Sequence, residues 1–211
     1  MRYRPFSIII FTLLSTLSLA GQSQQAPQVA EKSTFKELVE KAKKSDPSLD
    51  FTALRIRFYE SPDYNPQTPM LTYRPLYGAL AQKNYAEAIK IAESVLEKNF
   101  VEVNAHIVAQ VAKQETGNTD RAQFHKYMAD GLLNSIKSKA DGKTTETAFQ
   151  VISINEEYAL LRSMNLRPIK QSLLEEKGHF YDLLTVVDPQ TNQQTVVYFN
   201  VDKPLKWEKR N

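Results

Sequence analysis

Two stretches, Asn84-Tyr85-Ala86-Glu87-Ala88 and Gly117-Asn118-Thr119-Asp120-Arg121-Ala122, decide the architecture of this chain. Each opens a helix after a break, and Asn118 and Ala122 follow Asn84 and Ala88 by 34 residues. The two alanines fall where helices cross closely and only a small side chain fits. A short helix near Tyr73 to Gln82 leads into a helix over Tyr85–Lys98 that turns Tyr85, Ala88, Ile89, Ala92, Val95 and Leu96 to one face. Val101–Glu115 then pairs with Asp120–Lys137. Ala105, Val108, Val111 and Ala112 line the first of these, and Phe124, Tyr127, Met128, Gly131 and Leu132 the second.

A 34-residue helix-turn-helix period is the tetratricopeptide spacing, and such stacks need about three copies to stand alone. With two copies here, other segments must cover the open ends. The helices between Thr34 and Tyr59 and the C-terminal third are the candidates. Thr34-Phe35-Lys36-Glu37 reads as a capping box, a hydroxyl followed three residues on by a carboxylate. Ser45-Asp46-Pro47 stops that helix, because proline cannot continue it and restricts the residue before it. A second helix from about Asp50 carries Phe51, Leu54 and Phe58 inward. Prolines at 62, 66 and 69 then stiffen a loop flanked by Tyr59, Tyr64 and Tyr73. A tyrosine-lined loop can bind carbohydrate or peptide; more commonly its rings staple the loop to the core.

After the turn signal Asp141-Gly142 the apolar period changes from helix to strand. Ala148–Ile154 reads as a strand, Asn155–Asn165 as a short helix with Asn155 as its cap, and Pro168–Glu175, His179–Val187 and Gln194–Val201 as an antiparallel meander. Lys203–Asn211, with Trp207, is a tail that packs back on the sheet. The expected fold class is α+β: tetratricopeptide-like helical hairpins packed against a small C-terminal antiparallel β-sheet. The division is a leader over 1–20, a disordered spacer over 21–33, and one domain over 34–211, helical over 34–140 and mainly β over 144–206.

The leader carries the plainest functional signal. Arg2 and Arg4 precede an apolar run from Phe6 to Leu19, and Ser18-Leu19-Ala20 offers small residues for cleavage before Gly21. The run is shorter than the roughly 20 residues that span a bilayer. The 27 basic and 24 acidic residues give +3, of which Arg2 and Arg4 account for two charges, so no nucleic-acid partner is expected. The chain has no cysteine, which removes disulfides, thiolate metal sites and a lipoprotein anchor. The expectation is an exported protein, periplasmic or secreted, not a lipoprotein and without stable membrane insertion once the leader is gone.

The punctuating residues resemble domain-of-unknown-function family 4919, common among exported proteins of Bacteroidota. The pieces that carry the likeness are Asp50-Phe51, Leu54-Arg55, Tyr59, Ser61-Pro62, Tyr64, Asp141-Gly142-Lys143, Ala148 to Ile152, Glu156-Glu157-Tyr158, Tyr181-Asp182 and Tyr198 to Asp202. They span about Phe35 to Pro204. Where a glycine is expected in the last hairpin this chain has Asn192, which also tolerates a left-handed turn. The resemblance implies export and a shared fold, and supplies no catalytic residues.

Chemistry-bearing signals are sparse. His106 and His125 sit on neighbouring helices and can approach each other, but no H-x-x-x-H or H-E-x-x-H pattern is present, so no metal is expected and the rings read as solvated or cap-like. Glu156-Glu157 can be weighed as an acid/base pair, against the reading that acids in a first turn simply favour the helix dipole. Nucleophile elbows and phosphate loops are missing, and no cofactor is expected. The candidate binding residues are Tyr59 and Tyr64 in the loop, and Tyr181, Asp182, Tyr198 and Asn200 on the sheet. Adjacent strands can place Asp182, Tyr198 and Asn200 on one face as a polar, aromatic patch, or as the wet face of an amphipathic sheet. The leading functional expectation is a non-enzymatic module binding an envelope protein or peptide. A cell-envelope hydrolase and a carbohydrate-binding module are the alternatives.

Overall fold

The computed structural model describes residues 33–66 and 68–208, apart from the side chains of 68–72 and 208. The expected leader and nearly all of the expected spacer lie outside the described residues. Helix α1 (Phe35–Lys43) starts with the expected capping box: the Thr34 hydroxyl accepts from the Glu37 amide at 3.3 Å, and the Thr34 amide donates to the Glu37 carboxylate at 2.8 Å. Asp50 caps α2 (Phe51–Tyr59) by accepting from the Ala53 amide at 2.9 Å. Then come α3 (Thr68–Ala81), α4 (Tyr85–Lys98), α5 (Val103–Glu115) and α6 (Thr119–Lys137), each packed on the next. Helix α3 begins ahead of the expected Tyr73, since proline is tolerated in a first helical turn.

The 34-residue offset is visible bond by bond. Lys83 and Gly117 both take left-handed backbone, with φ of 58° and 80°. The Asn84 amide donates to the Ala79 carbonyl at 2.9 Å, and the Asn118 amide to the Lys113 carbonyl at 2.8 Å. Each asparagine side chain then accepts from the amide three residues on, Glu87 or Arg121. Ala88 and Ala122 are both buried. Leu76, Ala88, Ala92, Val95, Ala105, Val108, Ala109 and Ala112 form a core among α3, α4 and α5, where alanine lets the backbones draw close.

A second, larger core joins α1, α2 and α6 to the C-terminal third through Leu54, Phe58, Met128, Leu132, Leu160, Leu184 and Phe199. Strands β1 (Phe149–Gln150), β2 (Arg167–Glu176), β3 (His179–Val187) and β4 (Gln194–Asn200) order as β1-β4-β3-β2. The last three form the expected antiparallel meander. β1 lies parallel to β4, so the sheet is mixed rather than purely antiparallel. The strand expected over Ala148–Ile154 is cut to two residues: the Val151 amide still reaches the Asn200 carbonyl at 3.3 Å, but the Ile152 amide leaves the sheet and donates to the Glu156 carboxylate at 2.8 Å. The chain then turns into α7 (Ile154–Ser163), whose cap position is Ser153, two residues earlier than the expected Asn155.

Gly142 pins this crossing in place. Its φ is 68°, its amide donates to Thr147 and its carbonyl accepts from the Tyr198 amide at 2.9 Å, tying the turn to β4. Asn192 has φ of 57°, the left-handed turn its side chain tolerates. The expected tail is a helix, α8 (Asp202–Glu208), and Trp207 does pack back against the larger core.

Candidate functional site

Of the four residues singled out on the sheet, three share a face and Asp182 does not. Tyr181 pairs with Asn200 and Leu183 with Tyr198, so Tyr181, Tyr198 and Asn200 share one face. Asp182 pairs with Phe199 and lies on the other, core-facing side. The expected single patch of Asp182, Tyr198 and Asn200 is therefore split by the period-two alternation of a strand. Tyr64 is buried and its hydroxyl donates to the Ile152 carbonyl at 2.5 Å, with the Tyr59 ring 5.0 Å away edge-on. Tyr64 staples the proline-stiffened loop to the core, while the half-buried Tyr59 lies under the Lys203 ammonium at 5.5 Å.

Glu156 and Glu157 do lie in the first turn of α7, as the dipole reading has them, but they are not merely dipole partners. Both are buried, and they point to different partners. Glu156 takes a bidentate pair from Arg55, at 2.7 Å from Nε and 2.6 Å from Nη2, while Arg55 also donates to the Ser135 hydroxyl and the Gln150 carbonyl. Glu157 is 0 % exposed, and among the described residues no donor reaches either of its carboxyl oxygens. Burial first, and then the neighbouring Asp182 carboxyl, pushes its pKa well above the carboxylate range. Glu157 therefore keeps its proton and donates it to Asp182, whose pKa burial also raises. Gln171 Nε2 donates to Asp182 at 2.7 Å, and the Tyr158 hydroxyl donates to Gln171 Oε1 at 3.0 Å. Two carboxyl groups sharing a proton resemble an acid/base pair in chemistry, yet neither lines the cleft around Arg162 or the one around His125.

The outer face of α7 does line one. Ile154, Tyr158 and Arg162, spaced at four residues, share a cleft of about 340 Å³ with Asn155, with Asn104 of α5 and with Tyr73 and Arg74 of α3. The Arg162 guanidinium sits 5.2 Å from the Tyr73 ring centroid and 5.3 Å from that of Tyr77. It donates to the Tyr73 hydroxyl at 3.2 Å and to Asn104 Oδ1, which also accepts from Tyr77 at 3.1 Å. Asn104 is in turn fixed by Glu102, whose carboxylate accepts from its amide at 3.2 Å and its Nδ2 at 2.8 Å. Burial pushes the Glu102 pKa up to about 7, against the opposing pull of those bonds. A guanidinium has five donors. Arg162 spends two of them on these partners, and neither it nor Arg74 forms an ion pair among the described residues. The arrangement is a held, partly unspent cation beside aromatic walls, which is suited to a carboxylate.

His106 and His125 correct a second expectation. They are buried rather than solvated, and their Nδ1 atoms meet at 3.0 Å. Both line a larger cleft of about 510 Å³ with Phe35 and Val39 of α1, Leu96 of α4, Phe100 of the turn after α4 and Phe124 of α6, edged by the exposed Lys43, Glu93, Glu97 and Arg121. Burial lowers the pKa of His106 to about 3 and of His125 to about 4, so both rings are neutral at neutral pH. No group of three metal-ligating side chains occurs among the described residues. Nothing in the sequence singled out Arg162, Tyr77 or Asn104; each lies only within an expected helix, over 155–165, 73–82 and 101–115.

No curated protein and no solved structure matches this chain. A family model described as a domain of unknown function (DUF4919) does match, over residues 25–210 of the 211. With the likeness extending over nearly the whole length, as the punctuating residues implied, the chain belongs to the DUF4919 family.

Proposed function

We propose that this chain is an exported, non-enzymatic module that binds a peptide or protein partner, and that the Arg162 cleft receives an acidic group of that partner. The observation that carries the reading is the held guanidinium: two tyrosine rings and Asn104 fix Arg162 while leaving donors free, beside a second arginine. A pre-oriented fork loses little conformational freedom when a carboxylate arrives, which favours binding. The cleft lies among α3, α5 and α7, so a partner there touches both the helical hairpins and the C-terminal third. Neither carboxyl of the buried Glu157–Asp182 pair is among the residues lining either cleft, which weighs against a hydrolase built on those two groups. Export rests on the leader pattern, Arg2 and Arg4 ahead of Phe6–Leu19. No helix among the described residues is long and apolar enough to cross a membrane.

The test is a peptide array probed with the mature protein and with Arg162→Ala. Acidic peptides are expected to be enriched, with binding weakened by added salt and reduced about tenfold or more by the substitution. Because Arg162 is exposed, the variant is expected to keep the wild-type melting curve. Enrichment that ignores Arg162, or glycan binding with no peptide binding, overturns the reading.

A further inference from the structure

The second cleft holds an acceptor with nothing to accept. His106 Nε2 lies 2.9 Å from the Phe100 carbonyl, and a carbonyl can only accept, so this nitrogen carries the proton. In a neutral ring that leaves His106 Nδ1 as a lone pair. Its neighbour at 3.0 Å, His125 Nδ1, must then be the donor. By the same rule the other nitrogen of His125, Nε2, is bare. It is buried, shielded from water, and has no hydrogen-bond partner among the described residues. One backbone carbonyl thus fixes the tautomers of two rings and leaves an unmatched lone pair on a residue that lines an aromatic cleft.

We propose that the cleft formed by α1, α4 and α6 binds a neutral aromatic group carrying one N–H or O–H donor, such as an indole or a phenol, with His125 Nε2 as its acceptor. Phe35, Phe100, Phe124, Val39 and Leu96 supply apolar walls for a flat ring. A cleft of about 510 Å³ has ample room for a bicyclic ring. A water molecule is a poor occupant of that position, because a buried water needs two or more polar partners and the walls are apolar. The nitrogen is buried, so a donor reaches it only when a lining side chain moves; Arg121 lines the cleft, is exposed and lies 5.1 Å from the Phe124 ring centroid. A cation is disfavoured, since Lys113 and Arg121 already place positive charge near His125. This site is independent of the Arg162 cleft and of the acidic-partner reading.

The experiment compares indole with 1-methylindole, which has the same flat apolar body and no N–H. Binding is followed by the ring-nitrogen resonances of histidine-labelled wild-type protein. Indole is expected to bind saturably and to move the His125 Nε2 signal. The methylated probe is expected to bind at least about tenfold more weakly, in line with a bond to a buried acceptor, and to leave that signal in place. His125→Phe is expected to abolish the discrimination between the two. N-acetyltryptophanamide separates the sources. Tighter binding than indole assigns the site to a side chain of a partner peptide reaching the Lys43 and Glu97 rim, and weaker binding assigns it to a free aromatic compound. Failure of indole to bind, or equal affinity for indole and 1-methylindole on the wild-type protein, overturns the proposal whether or not the variant folds.

Discussion

Replacing Glu102 by glutamine turns one buried titration off while keeping the bonds it makes. Glu102 caps α5, is 4 % exposed, and accepts from the Asn104 amide and Nδ2. Glutamine keeps a carbonyl oxygen for those donors and cannot ionise. Burial raises the Glu102 pKa from 4.5 to about 7, so the folded state holds the proton more tightly than the unfolded chain. The resulting stability is fully present below pH 4.5 and is lost as the pH rises through about 7. At about 1.4 kcal/mol per unit of pKa, the loss between pH 5 and pH 8 is roughly 2 to 3 kcal/mol. Urea unfolding of wild type and Glu102→Gln, followed by circular dichroism at several pH values, measures it. The stability difference between the two proteins cancels the other titrating groups. That difference is expected to shift in favour of glutamine by this amount as the pH rises from 5 to 8. A difference that stays constant within about 0.5 kcal/mol across that range refutes the argument that Glu102 is a proton-holding acid.

Other perturbations test the remaining buried groups. Glu157→Gln retains a donor for Asp182 and removes a raised pKa, so the variant is expected to match wild type at pH 4 and to exceed its stability at pH 8; urea midpoints at the two pH values check it. Glu156→Ala strands the Arg55 charge and is expected to cost about 3–5 kcal/mol, whereas the double change Arg55→Met with Glu156→Leu is expected to cost less than either single change. Gly142→Ala forces a side chain into left-handed backbone and places its Cβ 2.3 Å from the Phe149 ring, for a loss of at least about 2 kcal/mol in thermal or urea unfolding. His106 and His125 have depressed pKa values, so their contribution to stability is present above pH 6.5 and lost as the pH falls toward 4 and 3. Their ring-proton NMR signals are expected to stay fixed from pH 8 to pH 5, and a titration midpoint near 6.5 in either ring contradicts the buried pair.

Much of the backbone was legible because its signals are local. The capping box at Thr34, the breaks ahead of Asn84 and at Gly117, and the turn at Asp141-Gly142 act within a few residues, and the elements begin and end near them. The short β1 was not legible. Val151 and Ile152 look like strand residues, but a carboxylate four residues downstream claims the Ile152 amide, and only the folded crossing brings it there. The acids at 156 and 157 read as no more than dipole partners because Arg55 and Asp182 lie far away in sequence and on separate elements. The same distance in sequence hid the sites. Arg162 becomes a held cation only when α3 and α5 bring Tyr73, Tyr77 and Asn104 beside it, and the tautomer of His125 depends on the carbonyl of Phe100. The sheet patch failed for a simpler reason: consecutive strand residues alternate faces, and the register puts Asp182 opposite Phe199 rather than Tyr198.

The burial of so much ionisable chemistry around one short helix has a structural logic. The start of α7 is where four otherwise separate parts meet. The carbonyl of Ile152 holds Tyr64 of the proline loop, Glu156 holds Arg55 of α2, and Glu157 holds Asp182 of β3. Asn155 reaches Glu102 at the start of α5. A hydrophobic core alone would fix these parts only loosely in rotation, because apolar contact is non-directional. Directional bonds from successive residues of one turn set α7 at a single angle, and a helix N-terminus favours negative charge at Glu156. That angle decides what the opposite face presents. Ile154, Tyr158 and Arg162 line their cleft because residues 156, 157, 160 and 161 are committed inward. On this argument a change at Glu157 that leaves the fold intact should still misplace Arg162, and should weaken any ligand of that cleft without touching it.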